Sequence, residues 1–191
     1  MRGTPGSSWR TKRDAMQNYD EMARSYDLQY GEEQEAKFRA ALKHIKLEDG
    51  CVVLDLGSGT GLLIPHILES VGFLVELDIS MGMLRKAREK FPDHPCVDFV
   101  HADADHAPFR NSSFDAVFAI TLLQNMPNPT QTLREAARLS KGGAALAVTG
   151  LKKTFNLKCF LKILNSAGLR EKILITNDGI KDYIAVTTSG S

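Results

Sequence analysis

The stretch Cys51-Val52-Val53-Leu54-Asp55-Leu56-Gly57-Ser58-Gly59-Thr60-Gly61 constrains this chain more than any other. Val52, Val53, Leu54 and Leu56 form the short apolar run of a strand buried on both faces. Three alternating glycines follow, and then Leu62, Leu63, His66, Ile67 and Leu68 in a helix-like pattern. A strand, a turn without side chains and a helix together let backbone N–H groups come close to a ligand. The spacing is G-x-G-x-G, whereas a dinucleotide loop would want glycine or alanine where Leu62 stands. Asp55, two residues before the first glycine, adds a carboxylate where a phosphate would be repelled. Together these features favour a nucleoside carrying a cationic amino-acid tail over a pyrophosphate.

Length and composition narrow the class. A chain of 191 residues, 43% hydrophobic and 25% charged, has room for one domain with a single substantial core. The net charge of +1 gives no global basic field for nucleic acid, although it leaves room for a local patch. Cys51, Cys96 and Cys159 are odd in number and lack C-x-x-C spacing, so they read as small buried or half-buried thiols in a reducing compartment. No apolar run approaches the roughly 18 residues of a membrane span, and no secretory leader is visible. A cytoplasmic protein without a membrane partner is expected. Residues 1–8 and 188–191 read as frayed or appended ends, and 1–13 as a flexible tail.

Taken in order, the chain alternates helical and strand patterns. Over 14–30, Met16, Tyr19, Ala23, Tyr26 and Tyr30 recur at helical spacing, with Tyr19 and Tyr26 on one face. This helix either closes over the core or lids a ligand. A second helix is expected over 33–46, with Phe38, Ala41, Leu42 and Ile45 inward. Residues 73–78 read as the second strand, and its final Asp78 follows Gly61 by 17 residues (78 − 61 = 17). That is close to the roughly 20-residue offset at which such an acid meets a ribose. Mid-strand Glu76 is the weaker rival, and helix capping is the plain alternative for Asp78.

Residues 96–101 read as the third strand. Beyond it His101, Asp103, Asp105 and His106 crowd together, but a loop leaves their directions uncontrolled and no second ligand cluster exists, so no metal site is expected. Residues 114–120 form a buried central strand that delivers Thr121, Gln124 and Asn125 to the carboxyl edge of the sheet, where open α/β folds bind their reactants. Asn128-Pro129 opens a helix, 144–149 is the fifth strand, and Phe155, Leu157, Phe160, Leu161 and Leu164 suit one more helix. A hairpin over 172–176 and 183–187 turns at Asn177-Asp178-Gly179.

From about Tyr19 onward these stretches resemble the class I S-adenosylmethionine-dependent methyltransferases. The carriers are the Tyr-Asp-x-x-Ala-x-x-Tyr-Asp run of 19–27, the glycine loop, Asp78 with its following turn, the Asp103 segment, and Pro108-Phe109 with Ser113-Phe114-Asp115. The Glu-x-x-Arg-x-Leu-x-Pro-Gly-Gly run of the family is matched only in part, since Leu139 falls one place early and Lys141 replaces the proline. The resemblance implies a Rossmann-like methyltransferase fold: a doubly wound, seven-stranded, mostly parallel sheet with an antiparallel last strand. It implies one domain over 14–188, with lid helices over 14–47, a cofactor-binding core over 51–150, and a C-terminal helix and hairpin over 151–188. It also implies S-adenosyl-L-methionine as cofactor, leaving as S-adenosyl-L-homocysteine. In that scheme Asp55, Gly57, Ser58, Gly59 and Gly61 build the loop, and Asp78 holds the ribose hydroxyls. Ile79 and Met83 flank the adenine, Asp103 accepts from its amine, and the Ala104 N–H donates to its ring. Tyr19 and Tyr26 lid the sulfonium end, with Thr121 nearby.

Methyl transfer from a sulfonium is an in-line displacement that depends mainly on alignment, which leaves the catalytic residue hard to read. The Asn/Asp-Pro-Pro-Tyr signature for planar amines is missing, and Gln124 and Asn125 cannot act as bases. Asn125, Gln124 and Thr121 are therefore expected to orient the acceptor. Little is inserted between the fifth strand and the next helix, which suits a large acceptor (RNA or protein) or a partner subunit that completes the site. A small-molecule methyltransferase and a non-catalytic cofactor-binding or activating subunit are the alternatives. A nicotinamide oxidoreductase is disfavoured because no Tyr-x-x-x-Lys pair occurs, and a kinase-like site because no glycine is followed by Lys-Ser or Lys-Thr.

Overall fold

The computed structural model describes residues 5–188, so the end segments 1–4 and 189–191 lie outside the described residues. Strand β1 (Val52–Leu56) is central, and the alternation of its side chains sets the two-sided core. Leu54 and Leu56 point to one apolar cluster while Val53 points to the other. The same alternation recurs in β2 (Phe73–Asp78), where Leu74 and Val75 part to opposite faces. In β4 (Phe114–Ala119) Val117 and Phe118 do the same. With β3 (Val97–His101), β5 (Ser140–Leu151), β6 (Arg170–Ile175) and β7 (Asp182–Thr188), the sheet has seven strands in the order β3-β2-β1-β4-β5-β7-β6. Only β7 runs antiparallel to its neighbours, which makes the sheet the doubly wound, mostly parallel type expected. The order reverses between β1 and β4, so the crevice at their carboxyl ends is where such a sheet admits ligands.

Helices cover both faces. On one lie α5 (Pro129–Leu139) and α6 (Leu157–Ser166), through Leu133, Ala136, Phe160 and Leu164. On the other lie α2 (Tyr26–Leu42) and α3 (Ile64–Ile67), through Phe38, Ala41, Ile64 and Ile67. Helix α4 (Met81–Lys90) is capped by Ser80, whose hydroxyl accepts from the Met83 N–H at 3.1 Å. The helix expected after the glycine loop is cut to four residues and a 3₁₀ turn (Leu68–Ser70), because i→i+3 bonds such as Ile64 N–H to Gly61 O tighten the chain there.

The N-terminal segment departs most from the sequence reading. Residues 5–13, expected as a tail, begin helix α1 (Pro5–Met22), since buried Lys12 ties this turn to Asp103 and Asp105. The chain breaks between Met22 and Tyr26, not after Tyr30, where the Ser25 N–H and hydroxyl both bond the Met22 carbonyl. Tyr19 and Tyr26 therefore sit on different helices and not on one face of a single helix. The far end of α1 is pinned by Asp20, whose Oδ1 accepts from Ser80 Oγ (2.6 Å) and the Gly82 N–H (2.7 Å). A Cβ on Gly82 would stand 2.8 Å from that oxygen, so glycine permits the close approach of α1 to α4. Cys51 and Cys96 are half-buried as expected, while Cys159 is exposed because it lies on the outer side of α6; all three are free thiols.

The buried face of α2 carries an ion pair. Lys37 is fully buried, and its Nζ lies 2.7 Å from Asp182 at the start of β7 and 3.0 Å from Glu33. Removing one member of a buried pair leaves an uncompensated charge. Lys37→Ala should therefore cost about 3–5 kcal/mol in urea unfolding, and Lys37→Met combined with Asp182→Leu should recover most of that. A cost below about 1 kcal/mol, the range of exposed pairs, would show that this pair does not tie α2 to the sheet.

Candidate active site

The loop after β1 folds over the end of β2. Its Gly57 and Ser58 N–H groups donate to the Leu77 carbonyl at 2.8 and 3.0 Å, and the Gly59 N–H donates to Asp78 Oδ2 at 2.8 Å. Asp78 Oδ1 accepts from the Ser80 N–H at 2.8 Å, so one carboxylate ties the glycine loop to the approach to α4. Gly57 has φ +83°, a backbone conformation that favours glycine, and a Cβ there would also press the tip of Leu122 at 2.9 Å. Gly59 opens to free space, whereas a Cβ on Gly61 would press Ile64 and Ala87 at 2.8 and 3.1 Å. Gly61 thus serves helix packing and does not face the cleft.

Beyond this loop lies an inner cleft of about 670 Å³, part of it open to solvent. Among the residues expected to hold a cofactor, Gly57 and Gly59 line it from the loop after β1, Asp78 and Ile79 from the end of β2 and its turn, and Met83 from α4. Asp103, Ala104 and Thr121 line it from the next loops, and Tyr19 and Tyr26 from the two N-terminal helices. Asp55 and Ser58 do not line it; they border a smaller hollow beneath the loop with Thr60. An outer cavity of about 1480 Å³, much of it open to solvent, abuts the cleft, and Tyr19, Tyr26, Thr121, Asn125 and Met126 belong to both. Gln124 borders only the outer one, with its Oε1 buried and unpaired.

Three carboxyl groups cluster behind the loop, and burial separates their roles. Asp55 and Glu76 face each other across β1 and β2, and the Ser58 hydroxyl favours the Glu76 carboxylate only weakly against burial. Burial, reinforced by the charge of Asp78, pushes Asp55 up to about 8, and burial with neighbouring Asp55 holds Glu76 well above the carboxylate range. Burial thus favours the neutral form of Asp55, against the charged carboxylate its position suggested. Burial also raises Asp78, but the Ser80, Gly59 and Ile79 N–H groups oppose that shift. Of the three, Asp78 is the one the backbone favours as a carboxylate.

Two lysines that sequence reasoning missed complete the walls. Lys12 Nζ reaches both Asp103 oxygens at 2.7 Å and Asp105 at 2.5 Å. Lys37 Nζ donates to Thr121 Oγ1 at 3.0 Å. Lys12 left no local signal, but Lys37 did: Gln34, Lys37, Phe38 and Ala41 share the buried stripe of α2, an unusual place for an amide and an ammonium. His101 turns away from the cleft, its Nε2 bonded to the Ile79 carbonyl at 2.9 Å. Thr121 itself holds a left-handed φ of +60°, with its N–H donating to Thr149 Oγ1 at 2.7 Å.

The raised Asp55 has a thermodynamic consequence. The unfolded chain releases this proton near pH 4 and the folded chain only near 8, so between them the unfolded state gains by ionising. Stability should fall as pH rises through that window, and Asp55→Asn should make the fall shallower in urea melts at pH 5, 6.5 and 8. Parallel curves for the two proteins would show that Asp55 ionises normally in the fold.

Comparison with known proteins agrees with this geometry. Residues 54–148 match the family model of a methyltransferase domain. Demethylmenaquinone methyltransferase of Corynebacterium urealyticum is 33% identical over 141 residues, covering 71% of this chain and 59% of that protein. Malonyl-[acyl-carrier protein] O-methyltransferase of a Marinomonas species is 31% identical over 144 residues, covering 74% and 53%. The chain thus spans little more than half the length of these relatives. Among solved structures, a chain of the complex between the Haloferax volcanii Trm112 methyltransferase activator and a methyltransferase superposes with a TM-score of 0.77 at 19% identity, over 91% of this chain and 98% of that one. An S-adenosylmethionine-dependent methyltransferase from Aquifex aeolicus gives 0.69 at 22% identity, over 80% and 89%. The glycine loop, the acid ending β2, the sheet order and these likenesses together place the chain in the class I, Rossmann-like S-adenosylmethionine-dependent methyltransferase family.

Proposed function

We propose that the chain transfers a methyl group from S-adenosyl-L-methionine, held in the inner cleft, to an acceptor held in the outer cavity. The observation that carries this reading is the shared wall: Tyr19, Tyr26, Thr121 and Asn125 border both spaces, so two ligands would meet there. The cleft fits the cofactor. Asp78 offers a carboxylate at the ribose position, Ile79 and Met83 offer apolar surface, and Gly59 leaves the loop open. Asp103 and Ala104 stand together where the adenine edge is expected, with Lys12 fixing Asp103 from the helix above. The cofactor's sulfonium supplies an activated methyl group, and the task left to the protein is alignment. Asn125 performs it from a fixed position, its Nδ2 bonded to Tyr19 Oη at 2.9 Å and to the Thr121 carbonyl at 3.1 Å. Gln124 reaches the acceptor from the outer cavity alone.

The short β5–α6 connection pointed to an open site and an RNA or protein acceptor. Helices α1 and α2 roof the site instead, and we favour a small molecule or the terminal group of a longer carrier. The names of the curated relatives support the same preference. An activating partner is a second reading, supported by the Haloferax volcanii complex. The three free cysteines support a reducing, cytoplasmic setting.

Two measurements test the proposal. Asp78→Ala should weaken S-adenosylmethionine binding by roughly 1.5–3 kcal/mol, since it removes a charged acceptor and releases the Gly59 and Ser80 N–H groups; a folded variant with unchanged affinity would move the cofactor elsewhere. Tritiated methyl groups offered with fractionated lysate should label small molecules or carrier-bound groups, and Asn125→Ala should lower that turnover at least tenfold with cofactor affinity nearly unchanged. Label confined to RNA, or full turnover in the variant, would contradict this assignment of the outer cavity.

A further inference from the structure

The hydrogen-bond chain around Thr121 has a polarity that its end groups dictate. Lys37 Nζ, held between Asp182 and Glu33, has only donors to offer, so Thr121 Oγ1 accepts from it at 3.0 Å. The Thr121 hydroxyl proton then goes to Gln34 Oε1 at 2.8 Å. This turns the Gln34 Nε2 toward Tyr26, and the phenolic oxygen accepts at 3.2 Å. The same logic runs down a second branch. The Thr121 carbonyl can only accept, so the Asn125 group facing it at 3.1 Å is the amide NH₂, and that nitrogen also donates to Tyr19 Oη at 2.9 Å. Both phenols are thereby forced to accept from an amide. Among the described residues neither phenolic proton has an acceptor, since Tyr19 Oη and Tyr26 Oη bond only to Asn125 and Gln34.

The two rings stand side by side, centroids 6.1 Å apart, and both border the inner cleft and the outer cavity. Building on the reading of these spaces as cofactor and acceptor sites, we propose that Tyr19 and Tyr26 form a twin hydrogen-bond donor site for an anionic oxygen of the acceptor, of the enolate, phenolate or carboxylate class. Burial raises both phenols above their ordinary range, and Tyr26 the more, so they remain protonated donors throughout the neutral range. Donors oriented in advance in a half-buried site hold an oxyanion with little reorganisation. An acceptor that is already anionic needs no general base. An amine acceptor would meet two protons where it needs an acceptor.

The carboxylate of the cofactor's own amino-acid tail has the same chemistry, and the test separates the two sources. Calorimetry at pH 8.5 compares 4-nitrophenolate with 4-nitroaniline, which matches it in size but is neutral and offers N–H groups in place of the anionic oxygen. The wild-type chain should bind the phenolate at least tenfold tighter. Tyr19→Phe and Tyr26→Phe, which keep the rings, should each reduce that preference at least threefold, and the double variant should abolish it. S-adenosylhomocysteine and 5′-methylthioadenosine, which lacks the amino-acid tail, are titrated in parallel. Equal binding of the two nitro compounds, no binding of either, or a preference that survives the double substitution would overturn the proposal. Phenylalanine variants that lose S-adenosylhomocysteine affinity while keeping methylthioadenosine affinity and the phenolate preference would assign the phenols to the cofactor instead. A wild-type chain that shows the phenolate preference but binds no S-adenosylhomocysteine would overturn the cofactor reading alone.

Discussion

The carboxylate of Asp78 is the contact on which the candidate site depends. One oxygen holds the Gly59 N–H and the other the Ser80 N–H, so two turns from neighbouring parallel strands are fastened by a single side chain. Charge-assisted bonds of this kind are about twice as strong as neutral ones, and here they lie at the switch point of the sheet. Ser80, placed in this way, caps α4 through Met83 and donates its hydroxyl to Asp20. Asp20 in turn fixes the C-terminal end of α1, while Lys12 fixes its middle on Asp103 and Asp105. The helix that roofs the cleft is thus strapped at two points to the segments beneath it.

Thr121 plays the corresponding part on the acceptor side. It leaves β4 with a left-handed φ that costs a non-glycine residue of order 1–3 kcal/mol, and its polar groups are engaged on every side. Its N–H meets Thr149, its carbonyl meets Asn125, and its hydroxyl stands between Lys37 and Gln34. These partners come from β5, the turn after β4, and α2. The conformation is therefore over-determined by tertiary contacts, and the same contacts hold the amides beside Tyr19 and Tyr26. Fold stability and site polarity share one network: Lys37 both closes α2 onto β7 through Asp182 and sets the direction of the hydrogen bonds.

Much of the fold was legible in the sequence because its signals are local. A buried apolar strand, alternating glycines and an acid ending the next strand lie within about 30 residues of one another and follow the rules for a β-loop-α-β unit. The direction of the last hairpin followed from its turn residues in the same way. What each glycine serves was not legible: Gly57, Gly59 and Gly61 look alike, yet only the first two face the cleft, and Gly61 answers to Ile64 and Ala87. Nor was the upward shift of Asp55, which follows from its complete burial in β1 and the nearby charge of Asp78. The helical break near Ser25 was hidden because both flanking segments carry helical spacing, and Lys12 looked like any charge in a polar end segment. Only the amide and ammonium on the inner stripe of α2 offered a sequence-level hint of the Thr121 network.

The central claim is that the glycine loop and Asp78 build a site for a nucleoside with an amino-acid tail, not for a dinucleotide. Isothermal titration of the intact chain with S-adenosylhomocysteine and, separately, with NAD tests it most directly. The account predicts saturable one-to-one binding of S-adenosylhomocysteine and no saturable heat with NAD. NAD binding as tightly as S-adenosylhomocysteine, or in its place, would contradict it.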